Sequence, residues 1–69
     1  MVNQLKFTYK ESQIMRYIAD GKTNKEIGYI LGRSEETIKS HVSDILHKLN
    51  ANGRAHAVAL AIRNSWISA

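Results

Sequence analysis

Sixty-nine residues amount to one domain near the lower limit of what folds alone, too few for an enzyme pocket and its supporting shell. With no cysteine there is no disulfide framework and no thiolate metal site, so stability rests on a compact apolar core and on oligomerisation. A formal charge of +4 and a sequence pI of ≈ 9.7 favour an anionic partner.

Apolar spacings of three and four recur along the chain and strand-like alternation is absent, which predicts an all-α fold. Residues 1–6 read as a flexible N-terminal arm to a single domain spanning 1–69. The first helix is predicted over 8–20. Thr8 and Glu11 have the spacing of a capping box, Ile14, Met15 and Ile18 share a face, and Gly21 stands where a left-handed C-terminal cap belongs. A second helix, 24–31, repeats the box with Thr23 and Glu26, places Ile27, Ile30 and Leu31 on its apolar face and ends at Gly32. Ser34 caps a third helix, 35–49, with Glu35 and Glu36 in the first turn complementing the macrodipole. Its inward stripe reads Ile38, Val42, Ile45, Leu46, Leu49. After a turn at Asn50 to Gly53, an alanine-dense fourth helix covers 54–63. Asn64 is expected to close it in a left-handed conformation, with Trp66 and Ile67 folding back onto the core. Together these make a four-helix, bundle-like domain.

The junction of the second and third helices carries the functional signal. Two capped helices meet through only Gly32, Arg33 and Ser34, and so short a turn forces the steep crossing of a helix-turn-helix. In such a unit the second helix can enter the major groove of duplex DNA while the first crosses the backbone. On the third helix Glu36, Lys39, Ser40 and Ser43 lie together opposite the apolar stripe. Lys39 suits guanine O6/N7, the two serines donate or accept, and Glu36 suits cytosine N4; the alternative is an ordinary solvated face. Phosphate contacts are expected from Thr23 and Lys25 at the second helix's N-terminus, from Arg33 and Thr37 at the turn, and from Lys48.

From Phe7 to Ala61 the chain resembles the LuxR-type helix-turn-helix domain, the DNA-binding module of quorum-sensing and response regulators. The segments "TNKEI", "SEETIKSHVSDILHKL" and "RAHAVALA" carry the resemblance. It implies base reading by the positions of Lys39, Ser40 and Ser43, and phosphate contacts near Thr23, Lys25, Ser34, Thr37 and Lys48. Arg54 matches an arginine that contacts phosphate or pairs with a carboxylate, while Glu11 and Gly21 match positions with structural roles. The last helix is the family's dimer surface. Alanines at 55, 57, 59 and 61 suit close helix approach, and Ala57, Val58, Ala61 and Ile62 are the interface candidates, divided between core and interface. Tyr9, Lys10, Gln13 and Met15 depart from the family pattern, and Ser43 stands where relatives often carry a second basic reader.

His41, His47 and His56 are spaced by six and nine residues, which is not metal-ligand spacing, and no nucleophile elbow or phosphate loop accompanies them. Neither a cofactor, a metal nor catalysis is expected. No signal peptide or membrane-length apolar run occurs, which points to the bacterial cytoplasm, and to the nucleoid when bound. The leading expectation is a homodimeric, sequence-specific DNA-binding regulator of transcription that touches RNA polymerase or a larger LuxR-type regulator. The alternative is a protein-interaction module that pairs through its last helix with a larger LuxR-type regulator and inhibits it. The family's usual N-terminal regulatory domain does not fit in this length, so the chain is either a free-standing domain or the C-terminal part of a longer protein.

Overall fold

A computed structural model describes residues 7–67, and the expected N-terminal arm lies outside them. Four helices follow in order: α1 (Tyr9–Ala19), α2 (Asn24–Leu31), α3 (Glu35–Leu49) and α4 (Arg54–Arg63). This is the predicted all-α architecture, with Thr8 and Asp20 as the caps of α1 rather than helical residues.

Local chemistry sets each boundary. The Thr8 hydroxyl accepts from the Glu11 N–H at 3.0 Å and the Glu11 carboxylate accepts from the Thr8 N–H at 3.0 Å. Thr23 and Glu26 repeat the exchange at α2. Each cap satisfies backbone donors that the helix cannot. At the C-terminal ends the chain reverses through a left-handed residue, and the N–H beyond it bonds five residues back. At α2 this bond runs from Arg33 N–H to the Gly28 carbonyl at 2.8 Å, past Gly32 at φ 69°. At α3 Asn50 takes the left-handed step, φ 55°, and Ala51 N–H bonds Leu46. The end of α4 corrects the sequence expectation. Asn64 has φ −96°, and Ser65 at φ 60° makes the turn, followed by Trp66 N–H to the Ala61 carbonyl at 2.7 Å. Asn64 is held back because its side-chain amide donates to the Leu60 carbonyl at 2.8 Å.

The core joins all four helices: Ile14, Met15, Ile27, Ile38 and Ile45 are fully enclosed, with Ile18, Val42 and Leu49 nearly so. Each enclosed large side chain contributes about 1.5–3 kcal/mol. Phe7, Leu46, Trp66 and Ile67 pack around this centre half-buried, so the C-terminal segment does fold back. Trp66 meets Phe7 edge-on at 6.0 Å between ring centroids.

Two expectations about faces are corrected. Ile30 does not join the core and is 44% exposed; the inward side of α2 is Ile27 and Gly28, with Leu31 half-buried. Gly28 is there because the chain leaving the helix comes back over it. A Cβ at that position would lie 2.6 Å from the Arg33 carbonyl oxygen. Ala57 and Ala61, expected at a dimer interface, are wholly enclosed in the domain's own core. α4 packs against both α1 and α3, and these two small side chains are what lets its backbone approach them.

Candidate nucleic-acid interface

α3 divides cleanly. Ile38, Val42, Ile45 and Leu49 face the core, whereas Glu36, Lys39, Ser40 and Ser43 are all exposed. With about 100° per residue, the four exposed positions fall within roughly 100° of arc, opposite the buried stripe. α2 packs more extensively on α3 than any other pair of helices does, which fixes how this polar face stands relative to the rest.

The turn that joins them is hydrogen-bonded and exposed. Ser34 Oγ accepts from the Thr37 N–H at 3.1 Å and donates to Thr37 Oγ1 at 2.9 Å. Arg33, Ser34 and Thr37 lie exposed at this turn, while Thr23 and Lys25 lie exposed at the start of α2. Five of the seven phosphate candidates are thus surface groups beside the two helix N-termini, where backbone dipoles also favour an anion.

The other two have partners inside the fold. Lys48 Nζ binds Glu11 Oε1 at 2.6 Å and sits 5.7 Å from the Phe7 ring centroid, tying the end of α3 to the start of α1. Arg54 is half-buried, donating from Nη1 to Asn24 Oδ1 at 2.6 Å and from Nη2 to the Lys22 carbonyl at 2.8 Å. It therefore joins the first turn of α4 to the first turn of α2, through an amide and a carbonyl rather than a carboxylate. Beside it an open groove of ≈ 420 Å³ runs between the helix ends.

Electrostatics follow from these contacts. Burial works to raise the Glu11 carboxyl. The hydrogen bonds from Lys48 and the Thr8 N–H, with the nearby charges of Lys48 and His41, outweigh it and leave the group below the usual carboxylate range. The Thr23 N–H does the same for Glu26, against a small opposing effect of burial and with help from the Thr23 side chain and Lys22. His56 serves structure, its Nδ1 accepting from the Asn52 N–H at 2.9 Å at the start of α4.

A tight, double-capped helix pair with an exposed polar face on its second helix coincides with a family match over residues 5–61, to the bacterial regulatory proteins of the luxR family. The chain belongs to the LuxR family. Its four helices are that family's DNA-binding helix-turn-helix domain, found in transcriptional regulators. Similar proteins include the transcriptional regulatory protein DegU of Brevibacillus brevis, 43% identical over 60 residues, which take in 87% of this chain and 25% of that protein. The transcriptional regulatory protein LiaR of Bacillus subtilis (strain 168) is 43% identical over 61 residues, 88% of this chain and 29% of that protein. The transcriptional activator protein PhzR of Pseudomonas fluorescens is 36% identical over 63 residues, 91% of this chain and 26% of that protein. The chain therefore spans about a quarter of the length of these three relatives.

Three features of this LuxR-family domain escaped the sequence reading. Gly28 reads in the sequence as punctuation like the other glycines, and its need for a missing side chain appears only when the turn passes over it. Asn24 is the acceptor for Arg54, thirty positions away, and no local pattern announces such a pair. The outward exposure of Tyr29 and Ile30 was hidden by reading Ile30 as a core residue. Among the described residues no helix is long and apolar enough to cross a membrane.

Proposed function

We propose that this domain binds duplex DNA sequence-specifically as a homodimer and regulates transcription in the bacterial cytoplasm. α3 lies in the major groove, where Lys39 contacts guanine, Ser40 and Ser43 contact adjacent base edges, and Glu36 accepts from cytosine. Thr23, Lys25, Arg33, Ser34 and Thr37 fix the register on phosphates. Lys48 and Arg54 serve chiefly to hold the helices that carry these groups. The observation that carries the reading is the exposed polar face of α3, fixed by the tight turn and by Gly28 beneath it.

The dimer forms through the side of α4 that the core leaves open. Ala55, Val58, Ala59 and Ile62 fall on one side of that helix, with Ala55, Ala59 and Ile62 exposed and Val58 half-buried. Pairing there places two copies of α3 about one helical turn apart on a pseudo-palindromic site.

The test is capture of sheared genomic DNA by the purified domain at two salt concentrations, with the bound fragments sequenced. An inverted repeat is expected, lost with Lys39→Ala. That substitution removes a contact worth about 1–3 kcal/mol of base discrimination. Random fragments that vanish at the higher salt would refute base reading and leave phosphate attraction alone. Absence of any capture would favour the inhibitory pairing of α4 with a larger LuxR-type regulator.

A further inference from the structure

The bend between α3 and α4 holds a pair of residues whose covalent chemistry the fold leaves open. Asn52 is followed by Gly53, and no other asparagine of the chain precedes a glycine. The carbon of an asparagine side-chain amide is an electrophile, and the backbone nitrogen of the next residue can close a five-membered ring onto it. Ring closure needs a side chain free to turn, no Cβ crowding the approach, and an N–H not engaged elsewhere.

Asn52 meets all three conditions. It is exposed, and its side-chain amide bonds nothing among the described residues. The Gly53 N–H likewise has no acceptor among them. Space around Gly53 is open, since a Cβ there would meet nothing within 4 Å. Comparable residues are each blocked. After Asn50, the Ala51 N–H donates to the Leu46 carbonyl at 2.9 Å. After Asn64, the Ser65 N–H donates to the Ile62 carbonyl at 3.0 Å, and the Asn64 amide itself holds Leu60. Asn24 lies within α2 with its amide oxygen taken by Arg54. Asp20 also precedes a glycine and can form the same ring, but the Gly21 N–H is bonded to the Ile18 carbonyl at 3.0 Å.

We infer that Asn52 is a modification site, at which the domain deamidates spontaneously. The Gly53 nitrogen bonds to the Asn52 side-chain carbonyl carbon, the bond from that carbon to the amide nitrogen breaks, and the Gly53 proton leaves with it as ammonia. Water then opens the succinimide at one carbonyl or the other, giving aspartate or isoaspartate; nothing is oxidised or reduced. Aspartate places a negative charge just before α4, where the helix dipole favours it. Isoaspartate lengthens the main chain by one methylene. That shifts two bonds that start α4, from the Asn52 N–H to His56 Nδ1 and from the Ala57 N–H to the Gly53 carbonyl. Its carboxylate is also the group that a protein isoaspartyl methyltransferase takes as substrate. None of this depends on DNA binding.

The experiment incubates the purified domain for two weeks at neutral pH and physiological temperature, beside an unfolded synthetic peptide of residues 49–55. Peptide mapping by mass spectrometry follows the exchange of amide for carboxyl, and an isoaspartyl methyltransferase with labelled methyl donor reports isoaspartate. Conversion is expected at Asn52 ahead of every other asparagine, at a rate within tenfold of the peptide, with methyl label appearing in step. Gly53→Ala should slow conversion at least tenfold. Its backbone is extended at φ 173°, which alanine adopts equally, so that variant should melt as the parent does. Asn52→Asp should melt no lower than the parent, whereas the isoaspartyl fraction should melt lower. Conversion a hundredfold slower than in the peptide would overturn the inference. So would equal conversion at Asn50 or Asn64, or a Gly53→Ala variant that reacts as fast as the parent.

Discussion

Glu11 combines two tasks in one carboxylate: it completes the cap of α1 and holds Lys48 from the far end of α3. Its folded-state pKa lies below the ordinary value of 4.5, so its contribution is complete above that pH and disappears as pH falls through the lowered value. Glu26 behaves in the same direction. Glu11→Gln keeps the capping hydrogen bond but loses the ion pair. It should cost up to about 1 kcal/mol near neutrality. Urea denaturation at pH 7 and pH 3 should show a smaller pH dependence in the variant than in the parent. Gly28 is the stricter position. Gly28→Val puts a branched side chain against the Arg33 carbonyl, and overpacking of this kind costs about 1–3 kcal/mol. Denaturation should show that loss, and shifted amide resonances in α3 should show the turn being pushed open.

At the level of elements, how much could be read from the sequence depended on how local the determinant was. The two capping boxes and the left-handed steps at Gly21 and Gly32 involve residues a few positions apart, so both ends of α2 and the start of α1 and α3 were legible. The phase of α4 was not. Alanines at 55, 57, 59 and 61 alternate every second residue and so populate both sides of a helix, leaving the inward side undetermined until α1 and α3 pack against it. That packing separates two otherwise similar substitutions. Ala57→Asp buries an unpaired charge in the core and should abolish the folded state, read as loss of cooperative melting. Ala59→Asp, on the open side, should leave the fold intact and shift sedimentation toward the monomer. Unchanged sedimentation of a domain that dimerises would remove α4 from the interface.

For the whole molecule, four of the cations divide between exposed and bracing positions. Arg33 and Lys25 stand free in solvent at the helix-turn-helix, while Lys48 and Arg54 brace α3 against α1 and α4 against α2. Sequence alone could not make that division, because it shows a charge but not its partner thirty or more residues away. The division predicts different responses to salt. Arg33→Ala should flatten the dependence of log affinity on log salt by about one unit per protomer without changing stability. Arg54→Ala should lower the melting temperature by several degrees while leaving that slope nearly unchanged. Equal slopes for Arg33→Ala and the parent would take Arg33 off the phosphate backbone.

The separation of the two sides of α3 has a consequence for how such a domain changes over time. Ile38, Val42, Ile45 and Leu49 answer to the fold, and Glu36, Lys39, Ser40 and Ser43 make no contribution to the core. Drift at the second set is therefore nearly free of structural penalty. On the proposed reading, a lineage can retarget such a domain to a new operator by a few surface substitutions, each intermediate still folded.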